Sequence, residues 1–133
     1  MNLFAYGTLL VPEIWFAVTG RECRSEEAVL PGYDIRRVRD GDFPGIIHSE
    51  DAPGVPGRVF FDLDYEIITR LDAYEDSFYE RIVVPTQDHS GQLLPSQAYV
   101  IPESHRAVLS DVPWTLEWFR EHALTEYFAR HFA

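Results

Sequence analysis

The chain has 133 residues, of which 46% are hydrophobic and 14% aromatic, and it carries a formal net charge of −11 at pH 7. That length and apolar content predict one domain with a real core and exclude a disordered chain. The acidic balance excludes nucleic acid and anionic membrane surfaces as favoured partners, and the apolar runs are too short for a membrane span or a leader, so a cytoplasmic location is expected. Residues 2–9 read as a strand running into Gly7, which permits φ > 0 and close backbone approach to a ligand. Pro12 then pre-sets the first turn of a helix over 12–19. Short segments rich in Val, Ile, Phe and Tyr follow near 26–30, 32–39, 45–48 and 55–62, separated by Pro31-Gly32, Gly41 and Pro53-Gly54, and each reads as a strand. Asp64 is placed to cap a helix over 64–74, in which Ile67, Ile68, Leu71 and Tyr74 share one face. Two more strands fall near 78–86 and 97–101. From Pro113 the tail reads as the longest helix, with Trp114, Trp118, Leu124, Phe128 and Phe132 as its core-facing stripe.

This order predicts an α+β fold, a small mixed β-barrel of short strands with flanking helices and a long C-terminal helix. Residues 1–133 are expected to form a single domain, with 103–133 a helical extension packed on it.

Much chemistry is excluded by residue type. All eleven basic residues are arginine, so Schiff-base chemistry and a phosphate-loop lysine are out. Cys23 is the only cysteine, which rules out disulfides within the chain and cysteine-based zinc sites. The five histidines show no metal-ligand spacing, and neither a serine-hydrolase elbow nor a glycine-rich nucleotide loop is present. No metal or cofactor is called for.

Two stretches stand out. The strand ending at Gly7 hands over to a helix and leaves backbone N–H groups to hold a carboxylate or an oxyanion, although an ordinary strand–loop–helix junction has the same pattern. Asp72, Glu75 and Asp76 crowd the end of the 64–74 helix, where the dipole favours cations instead. Asp72 and Asp76 are also a like-charge i, i+4 pair. Such crowding raises a carboxylate's pKa toward a catalytically useful value. A solvated acidic helix end neutralised by Arg81 or Arg70 fits the same residues.

Taken in order, these segments resemble the gamma-glutamylcyclotransferase-like family, which includes gamma-glutamylamine cyclotransferases and avirulence-induced plant proteins. The marks are Tyr6-Gly7-Thr8-Leu9, then Phe43-Pro44-Gly45-Ile46, then Leu71-Asp72, Glu75-Asp76 and Tyr79-Glu80-Arg81. A late strand, Ala98-Tyr99-Val100, is a looser fourth mark. The resemblance implies a pocket at one rim of the barrel, with Glu75 as acid/base. It places Tyr6, Gly7, Thr8, Leu9, Tyr79, Arg81 and Tyr99 on the substrate; as residues two apart on a strand, Tyr79 and Arg81 share a face, and both are expected to point inward. The implied substrate is a small gamma-glutamyl compound, cyclised to 5-oxoproline. A non-catalytic member of the same fold, binding a small carboxylate or a peptide end, is the alternative. Asp76 departs from the family's usual glycine at that place.

Overall fold

The computed structural model describes residues 1–132. Strand β1 (Leu3–Ala5) lies inside the main sheet, with all three of its residues buried. Each of its edges is taken. It pairs antiparallel with β5 (Val55–Phe60), Leu3 opposite Phe60 and Ala5 opposite Arg58, and parallel with β8 (Ser96–Val100) at Gln97. With β2 (Ser25–Leu30), β6 (Glu80–Val84) and β7 (Gln87–Asp88), the order across the sheet is β6-β8-β1-β5-β2-β7. A hairpin of β3 (Tyr33–Arg37) and β4 (Pro44–His48) forms a second, two-stranded sheet. The Ile101 N–H donates to the Ile46 carbonyl at 2.8 Å, joining that hairpin to the end of β8. The expected small mixed barrel is thus a curled half-barrel with helices against it.

Helix α1 (Pro12–Thr19) starts with Pro12, whose missing N–H costs nothing in a first turn. It ends at Gly20, which is left-handed at φ 74° and donates its N–H to the Phe16 carbonyl at 2.8 Å. Ile14 and Trp15 face the core, and Trp15 stacks on Phe60 with ring centres 3.8 Å apart. Helix α2 (Tyr65–Tyr74) is capped as expected, the Asp64 carboxylate accepting the Ile67 N–H at 3.0 Å. Ile67, Ile68 and Leu71 are buried on its inner face. Each such side chain contributes roughly 1.5–3 kcal/mol on leaving water. That burial fixes the rotation of α2, and therefore the direction in which its C-terminal end points.

Two expectations change. The strand predicted over 2–9 covers only Leu3–Ala5, and Thr8–Leu10 wind into a 3₁₀ turn. The Leu10 and Val11 N–H groups donate back to Gly7 and Thr8 at 3.0 and 3.1 Å, which turns the chain toward α1. The helical tail is present as two helices, α3 (Leu116–His122) and α4 (Leu124–Phe132), meeting at Ala123 (φ −133°). Its buried residues are Trp114, Phe119, Ala123 and Tyr127, whereas Trp118, Leu124, Phe128 and Phe132 are only half-buried. Steps of four residues overshoot a helical turn by about 40° each. A bend at Ala123 offsets that drift and keeps Phe119 and Tyr127 on the same core.

Candidate active site

Beyond β1 the chain lines a cavity of about 190 Å³, closed on its other sides by the end of α2, the Phe43-Pro44 turn, Tyr99 of β8 and α4. Of the residues singled out in the sequence, Tyr6, Gly7, Thr8, Leu9, Glu75, Tyr79 and Tyr99 all line it. Asp76 lines it as well. Stretches almost seventy residues apart meet because β1 and α2 end at the same rim.

Gly7 does not use the positive φ that a glycine permits. Its φ is −122°, outside the left-handed region. A Cβ there would lie 2.9 Å from Pro44 Cγ and 3.1 Å from Pro44 Cδ, so the bare backbone is what lets Pro44 seat against the turn. Among the described residues, the N–H groups of Gly7, Thr8 and Leu9 donate to no carbonyl in a turn, loop or strand, because the 3₁₀ turn uses only the next two. They belong to residues that line the cavity.

Glu75 is the residue at which α2 stops. Its backbone is extended (φ −77°, ψ 146°) and its N–H donates to the Leu71 carbonyl at 3.1 Å. The half-buried side chain reaches the cavity. Burial first, then the charges of Asp76 and Asp72, push its carboxyl from the ordinary 4.5 up to about 8. No hydrogen bond to its charged form opposes that shift among the described residues. Its carboxyl is thereby shifted toward the neutral, protonated form.

Phenols surround it. The Tyr6 hydroxyl donates to the Tyr99 carbonyl at 2.6 Å, and burial followed by the Glu75 charge pushes its pKa well up. The Tyr79 hydroxyl donates to the Pro44 carbonyl at 2.5 Å, not to Glu75, and burial raises its pKa as well. Tyr79 therefore fixes the same proline that packs on Gly7. The Tyr99 hydroxyl donates to Asp72 Oδ1 at 2.7 Å.

Arg81 is placed elsewhere. Its guanidinium holds Asp72 through Nε at 2.9 Å and Nη2 at 3.3 Å, and Gln97 through Nη1 at 2.9 Å, outside the cavity lining. Residues two apart share a face only within a strand. Tyr79 precedes β6, in a turn closed by its N–H to the Asp76 carbonyl at 3.2 Å, so it and Arg81 part company.

Sequence reasoning missed Tyr74, Tyr127 and His131 as site residues. Thr8 Oγ1 and the Tyr74 hydroxyl share a hydrogen bond at 2.8 Å, and the Tyr74 and Tyr127 hydroxyls share a short one. His131 donates from Nδ1 to the Tyr127 carbonyl at 2.8 Å and stacks on the Tyr127 ring with centres 4.0 Å apart. The i, i+4 spacing of Tyr127 and His131 was the available signal, masked by the more apolar stripe beside it.

The rim of the half-barrel thus brings the Glu75 carboxyl and the Gly7–Leu9 turn to one cavity. Over residues 3–118 the chain matches the family described as Gamma-glutamyl cyclotransferase, AIG2-like, and it belongs to that family. AIG2-like protein A of Arabidopsis thaliana is 31% identical over 83 residues, covering 62% of this chain and 50% of the relative, so the chain spans about half that relative's length. A solution structure of another Arabidopsis thaliana protein superposes with a TM-score of 0.73 at 23% identity, covering 97% of this chain and 78% of that one. A gamma-glutamyl cyclotransferase superposes with a TM-score of 0.66 at 18% identity, covering 75% of this chain and 65% of that one. These structural likenesses speak for the fold. Among the described residues, no helix is long and apolar enough to cross a membrane.

Proposed function

We propose that the protein cyclises a gamma-glutamyl amide to 5-oxoproline and releases the free amine or amino acid, with Glu75 as general acid/base. One observation carries this reading: the Glu75 carboxyl, lifted to about 8, shares a cavity with the free amides of the Gly7–Leu9 turn. Family membership supports it.

The substrate brings its own nucleophile. Its α-amine attacks its γ-carbonyl carbon to close a five-membered lactam, and the bond from that carbon to the amide nitrogen breaks. The site has to hold the chain folded, which removes most of the entropic barrier. The α-ammonium must first lose a proton. An α-amino group ordinarily titrates at about 7.7–8.0, so transfer to a carboxylate near 8 is close to thermoneutral. Glu75 then holds that proton and returns it to the departing nitrogen; the second proton that the ring nitrogen sheds on closing the lactam follows the same route, the amine leaves as its ammonium, and no proton is gained or lost overall. The Gly7, Thr8 and Leu9 amides are suited to the substrate's α-carboxylate or to the tetrahedral oxyanion.

The test is a screen for 5-oxoproline release across gamma-glutamyl amino acids, gamma-glutamyl amines and glutathione. Release from at least one class supports the reading. A protein that binds 5-oxoproline but releases none from any of them supports the binding-module alternative.

A further inference from the structure

We propose that Tyr127 of α4 is a positioning residue of this site: its hydroxyl holds Tyr74 and, through Tyr74, Thr8, and so keeps the amide turn and Glu75 in register. The kinetic part of this inference rests on the cyclisation reading, and the structural part does not.

The argument starts from what a phenol needs. Tyr127 is 4% exposed, with its ring edge-on to Phe119 (centres 5.3 Å apart) and stacked on His131. Phenylalanine would supply that packing equally well. The hydroxyl is the additional feature, and a buried hydroxyl is costly unless it finds a partner. Buried tyrosines often reach a main-chain carbonyl, as Tyr6 and Tyr79 do here. Tyr127 instead spends its hydroxyl on Tyr74, which also bonds to Thr8. Both of those residues line the pocket.

Their places in the chain give the bonds their effect. Thr8 lies in the middle of the Gly7–Leu9 amide turn, and Tyr74 is the residue immediately before Glu75. A single anchor on α4 therefore bears on both halves of the site. The amide turn needs such an anchor, since its own N–H groups are left without carbonyl partners among the described residues. The bend at Ala123 is what carries α4 to the pocket, and α4 lies wholly beyond residues 3–118 of the family match. In this chain the tail completes the site.

The test compares the parent chain with Tyr127→Phe, Thr8→Val and the double variant. Backbone order parameters of Gly7, Thr8 and Leu9 are measured by NMR relaxation, together with melting temperature and 5-oxoproline release. With Tyr127→Phe, the order parameters are expected to fall from about 0.85 toward 0.6, with the melting temperature nearly unchanged. On an active substrate kcat should fall by about 10–10²-fold, the usual consequence of displacing catalytic groups by a fraction of an ångström to an ångström. The double variant should lose little more than the larger single loss, because both substitutions break one chain of bonds. Unchanged order parameters overturn the inference whatever the activity. So does a loosened turn in an active enzyme whose kcat is that of the parent. A parent that releases no 5-oxoproline defeats the cyclisation reading, and the order parameters alone then decide the role of Tyr127.

Discussion

Arg81 grips Asp72 with two nitrogens, at 2.9 and 3.3 Å, while the Tyr99 hydroxyl takes Oδ1 of the same carboxylate at 2.7 Å. Asp72 is one of the two charges that lift the Glu75 pKa, so Arg81 bears on Glu75 without entering the cavity. Arg81→Ala should leave Asp72 less neutralised and push Glu75 further up. The acidic limb of the kcat/KM profile should move to higher pH by about 0.3–1 unit. Loss of the pair itself should cost stability only about 1 kcal/mol, because Asp72 is 43% exposed. A profile that stays in place would show that Asp72 and Glu75 are electrostatically independent.

Asp76 acts in the opposite sense. It lines the cavity and is the larger of the two charges raising Glu75. Asp76→Asn removes the charge and keeps the shape, so the acidic limb should move to lower pH by about 0.5–1 unit. At pH 6 the variant should be faster than the parent, and at pH 9 the two should converge. Initial rates across that range measure it.

Gly7→Ala probes the contact with Pro44. A Cβ would meet Pro44 Cγ at 2.9 Å, and Pro44 is held through its carbonyl by Tyr79, so the turn has to move. Overpacking of this kind costs typically 1–3 kcal/mol. The displaced amides should lower kcat/KM by about 10²-fold. Thermal melts and kinetics check both numbers, and a fully active Gly7→Ala would mean that the amides have no part in turnover.

Glu75 also shapes the pH dependence of stability. Its carboxyl titrates at about 8 in the fold against 4.5 ordinarily, so between those values the folded state binds the extra proton. Stability therefore falls as pH rises through this window, and the loss is complete above about 8. Glu75→Gln should melt close to the parent at pH 4 and above it at pH 9. The difference between the two melting curves isolates this one group.

What the sequence made legible follows from the range of the forces involved. The Asp64 cap, the α2 face of Ile67, Ile68 and Leu71, and the start of α1 at Pro12 are local and were readable. The joining of residues 6–9 with Glu75 came through the resemblance, and the fold places both at one rim. What was not legible depends on contacts between distant segments. Pro44 seated on Gly7 replaces a turn dihedral as the reason for the glycine. Arg81 and Tyr79 separate because β6 begins between them, at Glu80. The bend at Ala123 moves the buried tail residues from Trp118 and Leu124 to Phe119 and Tyr127, and so brings α4 to the pocket.

Glu75→Gln tests the central claim most directly. It keeps the shape of the side chain and removes its exchangeable proton site. Turnover of the best gamma-glutamyl substrate should fall by about 10²–10⁴-fold. Affinity for 5-oxoproline should change only severalfold, since the Gly7–Leu9 amides are untouched. A folded Glu75→Gln protein that releases 5-oxoproline at the parent rate would contradict Glu75 as the acid/base.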